Sequence, residues 1–176
     1  MNDASMKQFE TAALATFEDA LASNGFMLES KKTEQYFCEI VFVNSKRYVK
    51  ISANTHPRDF PPYFNIILGK GSRKWPEFDW NSIALWRMKN LITSTNTGST
   101  FSLEAPDKLP KLLDHAKAEL LKFGAAFLSG DVTLFRQARS EQNSGREPYK
   151  IYSPDQNGKY VEKDEPESVK LKKKYS

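Results

Sequence analysis

The sequence predicts an α+β fold: an N-terminal helix, an antiparallel meander of about four strands, C-terminal helices packed on one sheet face, and a flexible tail. Three observations lead there. Apolar residues recur at three- and four-residue spacing from Met6, switch to every second residue between Tyr36 and Ala53, and return to helical spacing after Asp107. The connections between the period-two runs are too short for parallel crossovers, so the strands are expected to pair as hairpins. A chain of 176 residues is long enough for one domain with a sizeable core. Residues 1–143 are therefore read as that domain and 144–176 as a polar tail.

In the first helix Phe9, Ala13, Phe17, Ala20 and Leu21 line one face. Asp3 or Ser5 is the expected cap, and Asn24-Gly25 the expected end. Residues 26–30 read as a short strand joined to the next through the polar stretch KKTEQ. In that next run Tyr36, Cys38, Ile40 and Phe42 point one way, and Phe37, Glu39, Val41 and Val43 the other. Asn44-Ser45 is the expected turn. The third run places Val49, Ile51 and Ala53 on one face, with Tyr48, Lys50 and Ser52 opposite. After HPRDFPP, residues 63–68 are apolar on both faces except at Asn65, the pattern of a covered strand.

Asp79 is expected to cap a helix carrying Ile83, Ala84, Met88, Leu91 and Ile92, although SIALWRM also reads as a strand. Residues 93–100 are Thr, Ser, Asn and Gly, an exposed loop. Phe101-Ser-Leu103 suits a short strand. From Asp107 a helix carries Leu109, Leu112, Leu113, Ala116, Leu120, Phe123 and Phe127 on one side, with Gly130-Asp131 as its break and a shorter helix over 132–139. Past Asn143 the composition turns polar and charged. Within this tail two short runs flank PDQNG as a small hairpin, which would need the body or a partner to hold it.

Composition narrows the functions. Apolar residues make up 39% and mean hydropathy is −0.61, as expected of a soluble protein. The net charge of +4 divides evenly between body and tail, too thin for a phosphate-backbone footprint. Nucleic acid is thus an unfavoured partner, reachable only through Lys70, Arg73, Lys74 and the Lys-rich end. Cys38 is the single cysteine, the start of the chain lacks a signal-peptide pattern, and no apolar run is long enough to span a membrane; a cytoplasmic protein is expected. His56 and His115 sit on different elements and no zinc-like spacing occurs, so no metal and no cofactor is expected. Cys38 shares a face with apolar neighbours, which argues for a buried thiol. GKGSRK, followed by Trp-Pro, lacks the spacing of a nucleotide loop. Asp59, Glu77 and Asp79 with His56 are the only acidic set a hydrolase or nuclease would draw on; no catalytic residue is assigned.

The strongest feature is the stretch 56–92, which holds all three tryptophans. Trp86 suits a core wall, whereas Trp75, Phe78 and Trp80 stand among Pro and charged residues, where partly exposed aromatics act as binding hot spots. Arg58, Asp59, Trp75, Phe78, Trp80 and Arg87 are the candidate partner-binding residues. In architecture alone the arrangement resembles small bacterial immunity and adaptor proteins, which neutralise or position another protein. A non-catalytic protein-binding module, with toxin neutralisation as one form, is the expected function.

Overall fold

Why the first helix stops where it does is written in its last turn. Gly25 takes a left-handed conformation (φ +76°), Phe26 N–H donates to Leu21 O at 3.0 Å and Gly25 N–H to Ala22 O at 2.8 Å. These two bonds satisfy carbonyls that the helix end would otherwise leave unpaired, and buried Phe26 seals the motif against Leu21. The computed structural model describes residues 3–58, 61–96, 101–103 and 106–175, with the side chains of 3–5 and 106 outside that description. Capping by Asp3 or Ser5 therefore lies outside it too.

Helix α1 (Asp3–Ala22) is followed by strands β1 (Met27–Glu34), β2 (Phe37–Asn44), β3 (Arg47–Asn54) and β4 (Tyr63–Lys70). The order is β1-β2-β3-β4, every pair antiparallel, as the alternation predicts. Two details differ from what the sequence predicts. First, KKTEQ is mostly strand: Lys31 and Thr33 turn towards α1, where Lys31 Nζ lies 2.7 Å and Thr33 Oγ1 2.5 Å from the Glu10 carboxylate. Polar residues thus face inward because a partner waits for them, and Lys31 and then Thr33 hold the Glu10 carboxyl below its ordinary range. Second, the β2–β3 loop is Ser45-Lys46, one residue later than expected, with Ser45 at φ +53°. Asn44 stays in the ladder, and its amide donates to Asn24 O at 3.1 Å.

The expected helix after Asp79 is split into α2 (Glu77–Trp80), strand β5 (Ser82–Ala84) and α3 (Leu85–Thr93). The helix and strand expectations for SIALWRM each hold for part of it, because β5 pairs with β4 and thereby takes three residues out of the helix. Strand β6 (Phe101–Ser102) pairs with the start of β4. A 3-10 turn (Pro106–Lys108) leads into α4 (Leu109–Phe123), which ends at Gly124 rather than Gly130. A Cβ on Gly124 would sit 2.6 Å from Leu120 O, so only glycine fits this joint. Helices α5 (Ala125–Ser129) and α6 (Thr133–Asn143) complete the body, and strands β7 (Lys150–Pro154) and β8 (Tyr160–Asp164) and helix α7 (Pro166–Tyr175) follow.

The main core fills one face of the sheet. Cys38, Ile40 and Phe42, then Val49, Ile51 and Ala53, then Phe64, Ile66 and Leu68 meet Phe9, Ala13 and Phe17 of α1 and Leu113, Ala116 and Leu120 of α4. Cys38 is buried among these side chains, and that burial pushes its thiol pKa up, away from the thiolate form. Among the described residues no helix is long and apolar enough to cross a membrane.

Composition marks 144–176 as a loosely held tail, yet its last helix returns to the body. Leu171 and Tyr175 close over Trp80, and β7 and β8 form the small hairpin. The charged face of α7 disguised two apolar anchors spaced four apart.

Candidate functional site

Helices α1 and α4 cover the inner side of the meander, whereas the outer side, which carries the opposite set of residues, is covered only in part, by α2. That set is Ser30, Lys32 and Glu34, then Glu39, Val41 and Val43, then Tyr48, Lys50 and Ser52, and Asn65, Ile67 and Gly69. Tyr48 lies directly across from Gly69, where a Cβ would collide with its ring; the missing side chain lets the tyrosine lie flat on β4. It is buried there, and the loss of solvent raises its hydroxyl pKa far above the ordinary tyrosine value. Phe78 of α2 stacks over Tyr48 with ring centroids 6.3 Å apart.

Between β1 and the loop after β4 this outer face holds a cleft of about 600 Å³. Val41, Val43 and Tyr48 contribute to its floor. Lys46, Lys50, Arg73 and Lys74 supply cations, with Glu29 and Glu39 as the carboxylates. Lys50 Nζ is 2.9 Å from Glu39 Oε2 and 3.9 Å from the Phe78 ring centroid, so it is held by charge and by the aromatic face together. The Arg73 guanidinium pairs with Glu29 and lies 6.0 Å from the Tyr48 ring centre. Glu29 is the extra residue of a β-bulge between Leu28 and Ser30, and such bulges re-aim side chains. Arg47 also lines the cleft, but its guanidinium lies over Phe26 and Phe127 and donates to Leu128 O at 3.0 Å.

The sequence-selected residues are dispersed. Phe78 lines the cleft, and Trp75, 59% exposed, stands on the loop that forms its rim, with its ring 5.4 Å from that of Tyr149. Trp80 corrects the expectation: it is 0% exposed, because Leu171 and Tyr175 cover it and the Arg146 guanidinium stacks 4.7 Å from its ring centre. Arg58 is exposed at the opposite end of the sheet, beside His56, whose Nδ1 accepts from Arg58 N–H at 3.2 Å. Arg87 lies on α3, its guanidinium 4.5 Å from the Trp86 ring centre, and burial lowers its pKa. Asp59 falls outside the described residues.

The acidic set does not converge either. Asp79 accepts from the Tyr149 hydroxyl at 2.7 Å and Glu77 from the Tyr175 hydroxyl at 2.8 Å, so both serve to hold the C-terminal segment. Asp79 is no helix cap. His56 instead packs edge-on against Tyr36, with centroids 5.3 Å apart. Among the described residues no three His, Cys, Asp or Glu side chains gather as metal ligands would.

Sequence reasoning missed Glu29, Glu39, Lys46, Tyr48 and Lys50. A signal existed for most of them: the alternation already put Glu39 with Val41, and Tyr48 with Lys50, opposite the core-facing set. What it lacked was the knowledge that this second face stays largely free of helices. No family model, curated protein or solved structure matches the chain.

Proposed function

We propose that this chain is a non-catalytic protein-binding module that docks its partner on the outer sheet face, with neutralisation of a toxic protein, as immunity proteins do, as one form of that role. One observation carries the reading: a cleft of about 600 Å³ lies on the partly covered face of the sheet, with aromatic Tyr48 and Phe78 beside cations and exposed Trp75 on its rim loop. Aromatic and arginine side chains, here Phe78, Tyr48 and Arg73, are the residue types on which interfaces concentrate their energy. The inner face supports no rival surface, since its side chains are sealed by α1 and α4.

The test is affinity capture from the native cell with three proteins: the unaltered chain, the double variant Lys46→Glu/Lys74→Glu, and Lys111→Glu, exposed on α4 behind the inner face, as a charge control. A partner retained by the first and third and lost at least about tenfold from the second is expected for a charge reversal at an interface centre. Equal recovery by the cleft variant, or no retained protein at all, overturns the proposal. Restored growth when the captured partner is co-expressed with this chain then tests neutralisation.

A further inference from the structure

The cations of the cleft are not idle. Lys50 is already paired with Glu39 and Arg73 with Glu29, while Lys46 and Lys74 have no ion pair among the described residues. The pair Arg73–Glu29 joins the loop after β4 to β1, the far edge of the meander, with β2 and β3 lying between them in the sheet. Both its side chains are more than a third exposed, and ion pairs in that setting contribute little to stability. Such a contact is easily exchanged for another carboxylate.

We infer that the cleft receives a carboxylate-rich segment of a partner protein, which takes Arg73 over from the chain's own Glu29 and adds contacts to Lys46 and Lys74. This rests on the outer face being the docking surface. Glu29 is then an internal stand-in for the partner's acid, and its place at a β-bulge explains how a strand residue reaches so far. The two carboxylates within the cleft also decide between anionic partners. A continuous phosphate backbone would pass close to both Glu29 and Glu39, whereas spaced carboxylates can pair with the cations one at a time. Arginine matches a carboxylate with two parallel hydrogen bonds, which gives the exchange a geometric preference.

The idea makes opposite predictions for the two members of one ion pair. A short all-glutamate peptide is titrated into the isotope-labelled full chain and followed by NMR. Resonances of Lys46, Tyr48, Lys50 and Arg73 should move. Glu29→Gln should bind about threefold to tenfold more tightly because the competitor has lost its charge, and Arg73→Ala about tenfold more weakly. Lys46→Ala, whose side chain has no ion pair among the described residues, should weaken binding by a few fold. Higher salt should weaken every complex. Unchanged or weaker binding by Glu29→Gln overturns the inference, as do shifts confined to the lysines of α7. So does an oligonucleotide of equal charge that binds more tightly than the peptide. If the peptide fails while the cleft variant still loses its captured partner, the carboxylate inference falls and the docking proposal stands. If the peptide behaves as expected while partner capture is equal for all three proteins, the carboxylate site stands and the docking proposal falls.

Discussion

The two faces of the sheet are covered in different ways. On the inner face, phenylalanines, leucines and isoleucines from β2, β3 and β4 interlock with α1 and α4, and almost no polar group takes part. On the outer face the cover is partial: α2 and the C-terminal segment meet around Trp80, Leu171 and Tyr175 and are joined mainly by polar links. Asn143 Nδ2 donates to Trp80 O at 2.9 Å and to Tyr175 O at 3.3 Å. Arg146 Nη1 donates to Asp79 O at 2.6 Å, and Arg139 Nη1 to Asn81 Oδ1 at 2.6 Å. Apolar burial is non-directional and scales with area, so the inner cover holds the fold. Hydrogen bonds are directional and modest in net worth, so the outer cover sets the position of α2 and Phe78 beside the cleft.

That contrast can be broken most sharply at its strong side. Phe64→Ala removes a ring that packs at 5.3 Å from Phe9 and 4.8 Å from Phe101, and should cost about 3–5 kcal/mol. A denaturant midpoint that hardly moves would mean the inner face is not what holds the fold. Trp80→Ala comes next, at about 3 kcal/mol, since among the described residues it belongs to a small apolar cluster with Leu171, Tyr175 and part of Tyr149. Hydrogen exchange should show α7 amides losing protection while those of β2 and β3 keep theirs. Uniform loss across both would show one cooperative unit instead of two.

The smallest effect is the most specific. Burial, and then the Asp79 carboxylate, push the Tyr149 hydroxyl pKa up from 10 to about 12. The folded state therefore holds this proton more tightly than the unfolded chain does. Below pH 10 that contribution is fully present, and it is lost as pH rises from 10 through 12. Tyr149→Phe should cost about 1 kcal/mol at neutral pH and flatten that part of the stability profile. An unchanged alkaline limb would mean that the Tyr149 hydroxyl does not help to hold the C-terminal segment on α2.

Much of this architecture was legible in the residues. Helix α1, its stop at Asn24-Gly25, and the inward set of β2 and β3 follow from periodicity, because each of these elements buries one regular stripe. Elements whose reason lies elsewhere in the chain were misread. β1 extends through KKTEQ because Glu10 receives Lys31 and Thr33; β5 exists because β4 offers it an edge; Asp79 answers to Tyr149, seventy positions away in the chain. The candidate site shows the same division. Residue type points to Phe78, Trp75 and Trp80 alike; Phe78 lines the cleft, Trp75 is exposed on the neighbouring loop against Tyr149, and Trp80 is enclosed by a segment whose composition gives no hint of return.

The amino-acid order by itself determined the α+β class, the meander and the side of each strand that faces the core, because those depend on neighbours within a few residues. Which sheet face stays open, which tryptophan sees water, and which acids hold which cations were decided only in three dimensions. The physical reason is range: periodic burial is a local property, whereas a cleft and its ion pairs arise from groups that only folding makes adjacent.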